Sequence, residues 1–80
     1  QSNCVIGHDV KIGSYCQINS FCFFAGCSKI ADFATINAGA RIVQNIEVGE
    51  SSTVGVGSIV LRNVKPNTVV FGNPAKKLEI

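Results

Sequence analysis

Large apolar residues recur every six positions along most of the chain. Stepping from Ile6, they fall at Ile12, Ile18, Phe24, Ile30, Ile36, Ile42, Val48, Val54 and Val60, and nine of the ten are β-branched. The next position in each step is mostly Gly, Asn or Ala: Gly7, Gly13, Asn19, Ala25, Ala31, Asn37, Val43, Gly49, Gly55 and Leu61. The position four along is mostly small: Val10, Cys16, Cys22, Ser28, Ala34, Ala40, Ile46, Ser52, Ser58 and Val64. A period of six suits short strands, whose side chains alternate in and out, and does not fit a helical face. Each hexad therefore predicts a short strand with its β-branched residue pointing inward. Gly and Asn in the following column are expected to supply the unusual backbone angles of a corner. The small residue points inward where room is short.

Repeats of this kind stack as a solenoid, so the predicted class is all-β. Ten hexads occupy residues 6–65, and residues 1–65 are read as the solenoid turns. The period breaks at residues 66–80, where Pro66, Gly72 and Pro74 mark turns, and this segment reads as a C-terminal cap over an open strand edge. The chain has no Met and no comparable cover at its other edge, which leads to the expectation of further sequence upstream of Gln1.

The same register accounts for three of the four cysteines. Cys4, Cys16 and Cys22 fall in the small inward column, where Cys packs as a small hydrophobe; Cys27 does not. None of the four forms a C-x-x-C pair, so neither a zinc site nor a disulfide framework is expected. The net charge of +2 is too mild for a nucleic-acid binder. It is uneven, however, with Arg62, Lys65, Lys76 and Lys77 gathered late in the chain, either as a solubilising tail or as a patch for phosphates. There is no long apolar run and no visible leader, and the expected compartment is the cytoplasm with no membrane partner.

The run Val54-Gly-Val-Gly-Ser-Ile-Val60, followed by Pro66 and then Gly72-Asn-Pro-Ala-Lys-Lys77, resembles the closing segment of hexapeptide-repeat acyltransferases. The segment Ile6-Gly-His-Asp-Val-Lys-Ile-Gly13 is similar to the His-acidic step of the sialic-acid O-acetyltransferase and bacterial amino-sugar N-acetyltransferase group. The resemblance implies a left-handed parallel β-helix with three hexads, about 18 residues, to each triangular turn. It also implies a small nucleotide-sugar-binding domain upstream, a homotrimer with active sites between neighbours, and acetyl-CoA as co-substrate without a metal.

On that geometry His8 stacks with Gly26, Gln44 and Arg62. His8 is the sole His and occupies an outward slot, either as a solvated surface residue or, as the resemblance implies, as the general base. Asp9 is placed to tune it, although neighbours along a strand point to opposite faces, so direct pairing requires a kink or bulge. By resemblance the Gly26 N–H faces the thioester oxyanion. A second column runs Ser20, Ala38, Val56 and Pro74. The resemblance implies pantetheine along Ala38, Val56 and Gly57, adenine near Pro74 and Ala75, and the 3′-phosphate at Lys76 and Lys77. Gln17 stands where some relatives carry a second His that meets the cofactor; it can donate a hydrogen bond but cannot act as a base. Phe21, Phe23 and Phe33 fall mostly at outward slots, which points to a subunit interface, with sugar stacking as the alternative.

The expected activity is transfer of an acetyl group from acetyl-CoA to an amine or hydroxyl of a nucleotide-linked sugar, by direct attack. The repeat alone also permits a non-catalytic solenoid that serves assembly or binding. A carbonic-anhydrase-like metal site needs three His and is excluded by the single His8. Thr35, Thr53 and Thr68 do not form the ordered ranks of an ice-binding face.

Overall fold

Residues 4–77 are described by a computed structural model; the outer ends of the two expected units, residues 1–3 and 78–80, lie outside the described residues. Ten two-residue strands follow one another at intervals of six: β1 (Val5–Ile6), β2 (Lys11–Ile12), β3 (Gln17–Ile18), β4 (Phe23–Phe24), β5 (Lys29–Ile30), β6 (Thr35–Ile36), β7 (Arg41–Ile42), β8 (Glu47–Val48), β9 (Thr53–Val54) and β10 (Ile59–Val60). Two further strands close the chain, β11 (Val69–Gly72) and β12 (Ala75–Lys77). The strands form three parallel faces, β1-β4-β7-β10, β2-β5-β8 and β3-β6-β9-β11, with β12 added antiparallel to β11. The fold is an all-β parallel solenoid of the hexapeptide-repeat, left-handed β-helix class.

Each strand pairs with the one a full turn away. Val5 faces Phe23, Lys11 faces Lys29 and Gln17 faces Thr35, an offset of 18 residues in each case. In the ten repeat strands the second residue points inward. Phe24, Ile36, Ile42 and Val54 are completely buried, and Ala34, Ala40, Ser28, Ser52 and Ser58 fill the small column between them. Burying such apolar side chains is worth about 1.5–3 kcal/mol each. The buried hydroxyls have partners: Ser28 Oγ–H donates to Ala25 O at 2.8 Å and Ser52 Oγ–H to Lys65 O at 2.6 Å. Cys22 is buried, and Cys4 and Cys16 pack against the core, in the small column the repeat predicts. Ile6 and Ile12 remain exposed because no described residue covers the outer side of the first turn.

Two readings of the repeat need correction. First, the corner angle does not sit in the Gly/Asn column. The residues with positive φ lie two positions later: Asp9, Tyr15, Phe21, Cys27, Phe33, Gly39, Asn45, Ser51 and Gly57. Gly7 is instead required by close approach. A Cβ there would lie 2.8 Å from Gly26 N and 3.0 Å from Phe24 O, both backbone atoms of the next turn.

Second, the period shortens by two residues after Val60. Val64 bridges Val48 and Val69 pairs with Thr53, offsets of 16 where the earlier turns keep 18. Val64 therefore occupies the large inward column, not the small one, and is buried there. From that point Val70 stacks on Val54, and the chain reverses after Gly72 so that Gly72 opposes Ala75 and Val70 opposes Lys77. The column of Ala38 and Val56 consequently continues toward Gly72, and Pro74 lies in the reversal instead of on the stack.

Candidate active site

His8 and Asp9 form the corner between β1 and β2. Asp9 has φ 58°, and this left-handed residue supplies the kink that direct pairing requires. Its carboxylate Oδ2 lies 3.2 Å from His8 Nδ1, and both side chains are more than three-quarters exposed, at 78% and 79%. The pair is thus open to solvent and to any incoming substrate, and burial plays no part in holding it.

Gly26 lies one turn along, directly against the imidazole. A Cβ at Gly26 would meet His8 Nε2 at 3.1 Å and Cε1 at 3.2 Å, so the missing side chain is the space the ring occupies. The backbone stack fixes this contact: Cys27 N–H donates to His8 O at 3.0 Å, and Asn45 N–H donates to Gly26 O at 3.2 Å. The Gly26 N–H itself has no acceptor among the described residues. At the next corner the N–H of Ser14, the counterpart of His8, is taken by Asp32 Oδ1 at 2.8 Å, an acceptor that Gly26, the counterpart of Asp32, cannot supply. The His8 corner therefore combines an imidazole, a carboxylate on its Nδ1 side and a free backbone donor, a set suited to moving a proton and steadying a developing oxyanion.

The other sequence-predicted residues lie elsewhere. Ala38 and Val56 sit at the corner between the β3-β6-β9 and β1-β4-β7-β10 faces, linked by Gly57 N–H to Ala38 O at 2.9 Å. Val56 is exposed, and Gly57, with φ 68°, faces open space. This corner and the His8 corner flank the same face, whose outward residues are Val5, Phe23, Arg41 and Ile59. Gln17 is exposed on a different face, in register with Thr35. Ala75 packs against the core. Lys76 opposes Phe71 and Lys77 opposes Val70, so the two lysines point to opposite sides of β12. Lys77 joins Arg62 and Lys65 around one hollow at the closing end of the solenoid, where Val60, Val64 and Thr68 also contribute.

Among the aromatics, Phe21 is 65% and Phe33 53% exposed, and Tyr15 stacks on Phe33 at 5.4 Å between ring centroids. One neighbour of the His8 corner escaped the sequence reading. Cys27 brings its thiol to the same place, with ligand-capable atoms of His8, Asp9 and Cys27 all within 4.8 Å of one another. The 18-residue column Asp9, Cys27, Asn45 carries the signal, which the six-residue register hides because it offers Cys27 no inward slot.

Comparison with known proteins agrees with the fold. No family profile matches the chain. A serine acetyltransferase of Synechococcus elongatus is 34% identical over 80 residues, which cover 90% of this chain and 33% of that protein. The serine acetyltransferase of Escherichia coli K12 is 48% identical over 48 residues, 60% of this chain and 18% of that one. Among solved structures, a point mutant of perosamine N-acetyltransferase from Caulobacter crescentus, in complex with CoA and GDP-perosamine, superposes with TM-score 0.98 at 25% identity, covering 100% of this chain and 38% of that one. A second structure from the same organism, PerB with CoA and GDP-perosamine, gives TM-score 0.93 at 28% identity over 95% and 37% of the two chains. Fold and corner together define a hexapeptide-repeat β-solenoid. More particularly, the chain is related in structure to nucleotide-sugar N-acetyltransferases and in sequence to serine acetyltransferases. It spans about a third of the length of the relatives it matches, 33% and 38% for the first of each kind.

Proposed function

We propose that this chain is the catalytic solenoid of an acetyltransferase that moves the acetyl group of acetyl-CoA to an amine or hydroxyl of a nucleotide-linked sugar. The observation that carries the reading is the His8–Asp9 pair at 3.2 Å with Gly26 set against the imidazole. The match to a solenoid bound to CoA and GDP-perosamine supports both the donor and the acceptor class.

In this mechanism His8 Nδ1–H donates to the Asp9 carboxylate, which leaves the Nε2 lone pair free as a base. The acceptor nucleophile gives its proton to Nε2 as it attacks the thioester carbon. The Gly26 N–H donates to the resulting oxyanion. Collapse breaks the carbon–sulfur bond, and the imidazolium returns its proton to the departing CoA thiolate.

Acetyl-CoA is proposed to lie along Ala38, Val56 and Gly57, toward Pro74 and Ala75, with a lysine of β12 meeting its 3′-phosphate and Gln17 as a further polar contact. The His8 corner and this column flank opposite edges of one face, which supports a site shared with a neighbouring copy. The exposed Phe21, Phe23 and Phe33 support association into a homotrimer. The remaining proposals are an upstream acceptor-binding domain, a capping role for residues 66–80 and a cytoplasmic location. A second acceptor reading, the hydroxyl of serine, is favoured by the sequence matches to serine acetyltransferases.

The test is acetyl transfer by the protein and its His8→Ala variant, with nucleotide amino-sugars and serine offered in parallel. The expected loss on removing the base is about 10²–10⁴-fold in turnover. Full turnover by the variant would sink the assignment.

A further inference from the structure

We infer that His8, Asp9 and Cys27 form a three-ligand site for a zinc-class divalent cation, and that filling it switches off the base. The inhibitory part rests on the proposed role of His8; the binding part does not.

The site follows from the way the corners stack. Asp9 and Cys27 are the left-handed residues of successive turns, with φ 58° and 64°. The same local backbone, repeated one turn along and tied by the hydrogen bond from Cys27 N–H to His8 O at 3.0 Å, holds the two side chains beside each other. Their ligand atoms and that of His8 lie within 4.8 Å of one another. A tetrahedral zinc with the usual bond lengths sets its N and O ligands about 3.3 Å apart and its N and S ligands about 3.6 Å apart. His8 Nδ1 and Asp9 Oδ2 already stand at 3.2 Å. The Cys27 thiol lies within 4.8 Å of a ring nitrogen of His8 and of the Asp9 carboxylate, against about 3.6 Å for ligands sharing one zinc, a gap of the size that side-chain rotation closes.

The chemistry of the set points the same way. Imidazole nitrogen, carboxylate oxygen and thiolate sulfur are the three donor types that zinc takes, and three protein ligands leave a fourth position open. Cys27 is also the cysteine that the fold does not employ. Cys4 Sγ–H donates to Asn19 O at 3.1 Å, Cys16 to Ala31 O at 3.1 Å and Cys22 to Asn37 O at 3.2 Å, whereas Cys27 makes no such bond among the described residues. Its thiol is half-buried at a corner, not committed to the core.

Coordination at Nδ1 has a direct consequence for catalysis. A neutral imidazole carries one proton between its two nitrogens. A cation on Nδ1 takes the position of that proton and leaves it on Nε2, which then donates and no longer accepts. The thiol proton is released to solvent, and no bond other than the coordination bonds forms.

The experiment uses the purified protein with zinc or cobalt ions alone. Cobalt should bring up sulfur-to-metal charge-transfer absorption, and binding should weaken about tenfold or more in Cys27→Ser while persisting in Cys16→Ala. Thermal melts of both variants check that the fold is retained, and Cys27→Ala gives a second version of the deletion. In turnover assays zinc should inhibit the protein, a chelator should restore it, and Cys27→Ser should be active yet at least tenfold less sensitive. Absence of the charge-transfer band, or a band unchanged in both Cys27 variants, overturns the site. Cobalt binding through Cys27 with turnover unaffected by zinc overturns the inhibitory role. An active His8→Ala protein would refute the base assignment separately, because metal binding is read by absorption and not by activity.

Discussion

Replacing Gly26 with Ala should separate catalysis from stability. Gly26 does not have the positive φ found at Gly39, Gly57 and Gly72, so Ala fits its backbone. The added Cβ would lie 3.4 Å from His8 O, which is tolerable, but 3.1 Å from Nε2 and 3.2 Å from Cε1 of an exposed, movable ring. Stiffening the unfolded chain favours the variant by about 0.4–1 kcal/mol. Turning the imidazole off its preferred rotamer costs about 0.5–1.5 kcal/mol. The two nearly cancel, so the melting temperature should change by no more than a few degrees. The reacting nitrogen, however, is displaced by several tenths of an ångström, and a shift approaching 1 Å costs about 10²-fold in rate. Turnover with acetyl-CoA should fall about 10- to 100-fold. Gly7→Ala is the counterpart. Its Cβ meets backbone at 2.8 and 3.0 Å, which can yield only if two turns part, stretching the 2.8 Å hydrogen bond from Gly7 N–H to Phe24 O. That overpacking should destabilise by about 1–3 kcal/mol. Denaturant melts and steady-state kinetics on both variants decide the matter. A Gly26→Ala protein with wild-type turnover, or one that melts below Gly7→Ala, would refute the reasoning.

Phe24 is fully buried at the centre of the stack, and Phe24→Ala should cost about 3–5 kcal/mol in a denaturant titration. Burial, with nearby Cys4 contributing, raises the Cys22 thiol above its ordinary 9.0. Above that pH the unfolded chain gives up the proton while the folded one keeps it, so the stability present below pH 9.0 should fall as pH rises further. Cys22→Ala should show a shallower decline; equal slopes would refute the assignment. Lys77→Ala should raise the KM for acetyl-CoA several-fold and leave that for the dephosphorylated donor unchanged, with Lys76→Ala the milder of the two because its side chain points away from Arg62 and Lys65.

Much of this architecture was legible one hexad at a time. The inward Ile/Val column, the small column and the packing role of Cys4, Cys16 and Cys22 each follow from side-chain size and alternation within six residues. The left-handed corner position was not legible, because bulky residues such as Tyr15, Phe21 and Phe33 occupy it and would ordinarily argue against it. Nor was the loss of two residues after Val60, since Val64 still fits an apolar pattern whichever column it fills.

The His8 corner shows where the division lies. That an outward His is followed by an acidic residue, in a chain that must stack with period six, is a property of the sequence alone. That the two side chains meet at 3.2 Å was decided by the left-handed backbone of Asp9, and that Gly26 and Cys27 join them was decided by the 18-residue stacking of turns. Alternation and residue size act between neighbours and can be read along the chain. The distance between residues a full turn apart depends on how every corner in that turn bends, and only the assembled solenoid sets it.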